Sequence, residues 1–202
     1  MKQGLTELVF ILDKSGSMSG LESDTIGGFN SMLAKQKEIA GECTLTTVLF
    51  DNNYYLLHDR IDINAVGPIT EKEYFVGGST ALLDAIGSTI NKIINVQINT
   101  AKNFRAERVM FIIITDGEEN ASREYSAKKV KAMIERQKGE CNWEFIFMGA
   151  NIDAVQTAGR FGIAPNRAVD YLADEQGTNL NFRVMSKTLK DFREKGKFDE
   201  KD

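Results

Sequence analysis

Proline, histidine, tryptophan and cysteine are all scarce in this sequence, with two, one, one and two copies among 202 residues. Each scarcity removes a class of chemistry. His58 is the sole imidazole, so a Ser-His-Asp hydrolase would depend on one residue that sits within an apolar hairpin pattern. Cys43 and Cys141 stand far apart and form no CxxC pair. They read as reduced core residues, not as a disulfide framework or a thiolate metal site. Positive charge is in deficit too: 25 Lys and Arg against 29 Asp and Glu give a net charge of −4 and a pI near 5.2. That balance offers no electrostatic case for nucleic acid or an anionic membrane. Long apolar runs are missing as well. The first one is cut by Asp13, too short for a signal peptide or a membrane span. The sequon Asn120-Ala121-Ser122 has no companion feature of secretion, so a cytoplasmic protein is expected.

What is present suits one globular α/β domain, 42% hydrophobic and 27% charged. The domain is expected over residues 1–190, with a charged, solvated tail over 191–202. LTELVFIL (residues 5–12), RVMFIIIT (108–115) and WEFIFMG (143–149) are near-continuous apolar runs of the kind buried on both faces of a parallel sheet. Helical stripes alternate with them: Ile26, Phe29 and Leu33; then Leu82, Ala85, Ile86, Ile90 and Ile93; then Val130, Met133 and Ile134 within residues 124–137, with Gly139 as the expected C-cap. The exception is CTLTTVLF followed by Asp51-Asn52-Asn53 and YYLLH, which predicts a β-hairpin and hence an antiparallel edge strand. Residues 167–172 read as a last short strand, followed by a helix through Leu189. The architecture is a three-layer α/β sandwich, helices on both faces of a mostly parallel sheet.

Three polar clusters fall at strand exits or helix starts: Asp13-Lys14-Ser15-Gly16-Ser17-Met18, Gly77-Gly78-Ser79-Thr80, and Thr115-Asp116-Gly117-Glu118-Glu119. In open α/β sheets, ligands bind at the carboxyl ends of strands. If the loops converge, they offer two carboxylates, Asp13 and Asp116, and three hydroxyls, Ser15, Ser17 and Thr80. All are hard oxygen donors of the type Mg2+ and Ca2+ prefer. Rival patterns fail letter by letter. An EF-hand loop needs Gly where Met18 stands and Glu where Asp24 stands. A P-loop needs a Lys after its last Gly. A nucleophile elbow needs Ser where Met18 lies between Gly16 and Gly20. A Mg2+-dependent phosphoryl-transfer or phosphate-binding protein using Asp13 and the Gly77-Gly78 turn stays open as the alternative function, although the usual companion acid of such an aspartate is replaced by Ser15. Any one cluster alone is an ordinary turn or helix cap. The coincidence of three, with matched donors, favours a cation site.

Asp13-x-Ser15-x-Ser17, a Thr at Thr80 in a Gly-rich helix entry, and Thr115-Asp116-Gly117 after an apolar strand resemble the von Willebrand factor type A domain and its metal ion-dependent adhesion site. The resemblance spans roughly residues 5–189. It implies a Rossmann-like fold with one antiparallel edge strand and a non-enzymatic, metal-dependent protein-interaction module. It implies Mg2+, with Mn2+ or Ca2+ as alternatives, held directly by Ser15 and Ser17. Thr80 would bind directly or through water, and Asp13 and Asp116 mainly through water or by hydrogen-bonding the serines. Between Ser79 and Thr80, counting back from ALLDAI selects Thr80. Neutral direct ligands leave the ion seeking an anion, so the implied partner is a protein offering a Glu or Asp. Glu118 and Glu119 read as solvated loop acids near that site. A metal that only staples the loops together is the remaining reading.

Overall fold

A strand buried on both faces needs apolar residues at every position, because alternate side chains serve opposite layers. In β1 (Lys2–Asp13), Leu8, Phe10 and Leu12 enter one core, and Val9 and Ile11 enter the other. β4 (Ala106–Thr115) divides the same way, Ile112 and Ile114 against Phe111 and Ile113. So does β5 (Glu144–Ala150), Ile146 and Met148 against Phe145 and Phe147. The first core is closed by α1 (Glu22–Lys37) and α5 (Glu175–Lys195), through Phe29, Met32, Leu33, Phe182, Met185 and Leu189. The second is closed by α2 (Leu82–Asn99), α3 (Ala127–Cys141) and α4 (Ala154–Arg160).

This arrangement comes from a computed structural model, which describes residues 1–150, 152–171 and 175–196. With β2 (Cys43–Phe50), β3 (Tyr54–Asp62) and β6 (Ala168–Tyr171), the sheet has six strands in the order β3-β2-β1-β4-β5-β6. All neighbours are parallel except β2 and β3, whose antiparallel pairing puts β3 on the edge. β1 therefore lies inside the sheet, between β2 and β4, and the expected three layers and edge hairpin are found. The apolar cores stabilise the sandwich by roughly 25 cal/mol for each Å² taken from water. No helix among the described residues is long and apolar enough to cross a membrane.

Four details depart from expectation. α3 passes through Gly139 and ends instead at Asn142, which takes the left-handed conformation (φ 53°) and donates its N–H to the Gln137 carbonyl. Asn tolerates that region because its short amide bonds locally. Cys141 is exposed at that helix end, while Cys43 alone is a core cysteine. α4, seven residues long, carried no periodic signal. Finally, α5 continues past Lys190 to Lys195, with Phe192 and Arg193 buried and Glu194 and Lys195 exposed, so the start of the expected tail is helical and packed on one side. Arg193 donates to the carbonyls of Gln36, Ile39 and Gly41, tying α5 to the end of α1 and the turn after it. Residue 172 of the expected last strand and residues 197–202 of the expected tail lie outside the described residues.

Candidate metal centre

β1 and β4 are adjacent and parallel, so their carboxyl ends open side by side. Asp13 closes β1 and is fully buried. Its Oδ1 accepts the Ser15 N–H at 2.7 Å, a local turn that an aspartate readily makes. Its Oδ2 accepts the Thr115 hydroxyl at 2.5 Å from the end of β4. The chain then reverses through a short 3-10 turn at Gly16–Met18, which brings Ser15 and Ser17 side by side with hydroxyls 3.0 Å apart. Ser17 Oγ donates to Asp116 Oδ1 at 2.7 Å, and Thr80 Oγ1 donates to Ser15 Oγ at 3.0 Å. The structure thus brings all five sequence-selected residues into one cluster: Asp13, Ser15, Ser17, Thr80 and Asp116. Thr80 is buried and joins the network, whereas its neighbour Ser79 is exposed.

The second loop reaches this cluster along the first. Gly77 N donates to the Lys14 carbonyl at 2.9 Å and Gly16 N to the Gly78 carbonyl at 3.0 Å. Gly78 needs to be glycine: its φ is +76°, and a Cβ there would lie 2.3 Å from Asn52 Oδ1 of the hairpin turn. Tyr74 donates its phenol to the Asp13 carbonyl at 2.6 Å, a contact no periodicity in the sequence announced. The third loop is clamped onto α2. Glu119 accepts from Leu83 N at 2.8 Å and from Ser122 N and Oγ, both at 2.7 Å. Asp84 in turn accepts the backbone N–H groups of Arg123, Glu124 and Tyr125. Glu119 is therefore a cap for the α2 N-terminus, where its charge suits the helix dipole, and not a solvated acid. Glu118 is exposed, as expected.

Electrostatically the cluster is short of positive charge. Burial raises the Asp13 carboxyl above its ordinary range, with the Thr115 and Ser15 hydrogen bonds opposing and Asp116 adding to the rise. Burial likewise raises Asp116, opposed by the Ser17 hydrogen bond. Lys14, between Asp13 and Ser15, spends its charge on Asp51. A cation among these oxygens would favour both ionised forms. The donor set and the space fit a small hard one. Among the described residues no three His, Cys, Asp or Glu side chains gather, so the donors here are chiefly hydroxyls. Oxygens at right angles around an ion at roughly 2.1 Å lie about 3.0 Å apart, and the two hydroxyl–hydroxyl separations match. Gly117 keeps the space clear: a Cβ there would come within 2.9 Å of both Ser17 Oγ and Thr80 Oγ1.

No family model matches the sequence, and no curated protein does. Solved structures do match in shape. Proximal thread matrix protein 1 from the mussel byssus, with a zinc-occupied MIDAS motif, superposes with a TM-score of 0.63 at 13% identity, over 93% of this chain and 46% of that one. A von Willebrand factor type A protein from Catenulispora acidiphila gives a TM-score of 0.60 at 14% identity, over 91% and 42%. The vWF domain of the type V pili tip protein Mfa5 from Porphyromonas gingivalis gives 0.63 at 10% identity, over 96% and 98%. The chain therefore spans less than half of the first structures it matches but nearly all of the pilus-tip domain.

Proposed function

From the premise that this chain has the von Willebrand factor type A fold, we propose that it is a metal-dependent protein-interaction module. The observation that carries the reading is the continuous oxygen cluster Thr80–Ser15–Ser17–Asp116, built from three loops at the carboxyl end of the sheet. Ser15, Ser17 and Thr80 would hold a divalent cation, Mg2+ first and Mn2+ or Ca2+ as alternatives. Asp13 and Asp116 orient the serines and offset the charge from behind. The ion would supply an open position for a carboxylate, so the partner is a protein presenting a Glu or Asp. The neutral hydroxyls leave that position electropositive.

Phosphoryl transfer from Asp13 is the weaker reading. Both of its carboxylate oxygens are engaged and the residue is fully buried, which leaves no lone pair facing solvent for attack. The Gly77 N–H is spent on the Lys14 carbonyl and so is not offered to a phosphate. The free, exposed thiol of Cys141 suits a reducing compartment, the cytoplasm in this reading.

Titration with Mg2+ and with Mn2+ tests the proposal. One site per chain is expected in the wild type and none in the Ser15→Ala, Ser17→Ala double variant. Thr80→Ala should weaken binding of a glutamate-bearing partner by about 1–3 kcal/mol, as for a hydrogen bond to a charged group. Unchanged metal binding in the double variant overturns the site. Partner binding indifferent to both EDTA and Thr80→Ala overturns the mechanism.

A further inference from the structure

Next to the oxygen cluster, one cation is buried between two exposed rings. Lys14 is 2% exposed and donates to Asp51 Oδ2 at 2.8 Å. The same ammonium lies 4.3 Å from the Tyr55 ring centroid and 4.4 Å from that of Phe75. The rings are open to water, Tyr55 at 41% and Phe75 at 58%. Single exposed aromatics are common and signify little. These two differ because one ammonium holds both in place by attraction to their faces. Asp51 already neutralises Lys14, so the surface they present is apolar.

The platform is tied to the metal loop on both sides of Phe75. Tyr74 bonds the Asp13 carbonyl, Gly77 bonds the Lys14 carbonyl, and Gly78 receives the Gly16 N–H. A peptide whose carboxylate sits on Ser15, Ser17 and Thr80, and whose chain runs toward the segment of Tyr74 to Gly78, brings its neighbouring residues to the rings, since an extended chain advances about 3.3 Å per residue. Long-range charge does not favour such a peptide. The chain carries a net −4, and Glu118 is exposed next to Asp116. An apolar contact would add attraction that salt does not screen.

Resting on the metal-site reading above, we propose that Tyr55 and Phe75 form a second subsite of this centre. The partner it fits is an extended acidic segment with an apolar or aromatic side chain within a few residues of its metal-seeking Glu or Asp.

The test uses the full chain with Mg2+ and a set of eight-residue peptides, each with a central Glu in an Ala/Ser background and one Phe walked through the flanking positions. The best-placed Phe should tighten binding about tenfold over the parent peptide, the order expected for one largely buried ring. Phe75→Ala and Tyr55→Ala should each reduce that gain to about twofold or less, with the parent peptide and the melting temperature little changed. A wild-type protein that shows no gain at any position overturns the subsite, and so does a gain that both variants leave intact. Absence of binding by every peptide overturns it too. The metal reading is judged apart, from Mg2+ titration alone and from Glu→Gln in the peptide. A Gln peptide that binds equally well sinks that reading even where the Phe gain persists.

Discussion

Ser17 and Asp116 are joined by a 2.7 Å hydrogen bond across ninety-nine residues of sequence. The bond makes the position of the loop after β4 felt by the loop after β1, and Thr80 extends the connection to the third loop through Ser15. A change at any corner of this network is therefore expected to reach the others.

Gly117→Ala is the sharpest probe of the space. The added methyl meets two hydroxyl oxygens at 2.9 Å, one on the first loop and one before α2. Mg2+ affinity should fall at least about tenfold, or about 1.4 kcal/mol, while the folded spectrum is kept. Isothermal titration on the variant checks it, and unaltered affinity would show that the metal lies elsewhere.

Thr115→Val removes the hydroxyl that Asp13 Oδ2 accepts from inside the protein, at nearly constant shape. A buried carboxylate stripped of a donor should cost about 1–3 kcal/mol in urea unfolding. A loss well below that range would mean that the Ser15 N–H alone satisfies Asp13.

Glu7 supplies a pH dependence away from the centre. It is fully buried on β1, and burial raises its carboxyl above the ordinary glutamate value, with Arg60 opposing from β3 at 3.1 Å. Such a group binds its proton more tightly folded than unfolded. Its contribution to stability is complete below the ordinary glutamate range and is lost as pH rises through the folded value. The stability of wild type relative to Glu7→Gln should therefore decline across the pH interval above the ordinary glutamate value. Paired unfolding curves across that interval would show it, and a difference that grew with pH would refute the sign.

The two thiols should separate cleanly in reactivity. Burial pushes the Cys43 thiol up to about 11, and Cys141 is exposed at the end of α3. Iodoacetamide on the native protein at neutral pH should modify Cys141 and leave Cys43 untouched until denaturant is added. Mass spectrometry of the labelled peptides decides, and early labelling at Cys43 would mean that β2 opens locally.

The fold was legible in the strands that two cores share. β1, β4 and β5 could not be amphipathic, and their near-continuous apolar runs said so. The hairpin was legible because its turn, Asp51-Asn52-Asn53, interrupts two strand-like runs. The oxygen cluster was legible because its donors come in short runs placed directly after strands. What escaped had no local signature. Tyr74 lies in a segment without periodicity, and only tertiary structure carries its phenol to Asp13. Glu119 resembles any loop acid until α2 is placed beneath it. The α3 terminus went to Asn142 because an asparagine can adopt the left-handed turn that Gly139 was expected to supply. Charge in residues 190–195 suggested solvent, yet Arg193 buries its guanidinium on carbonyl groups that are distant in sequence.

That last contact bears on how the chain is made. The carbonyls at and just after the end of α1 are synthesised well before the arginine that serves them, which follows Gly41 by 152 residues. β1 is in the same position, since its partner β4 emerges only after the hairpin and α2. A nascent chain thus cannot close β1 on its inner side until β4 has been added, nor the Gly41 contact until residue 193 has followed. Contacts of such long sequence separation close late, and a fold built on them forms more slowly than one built on local pairs.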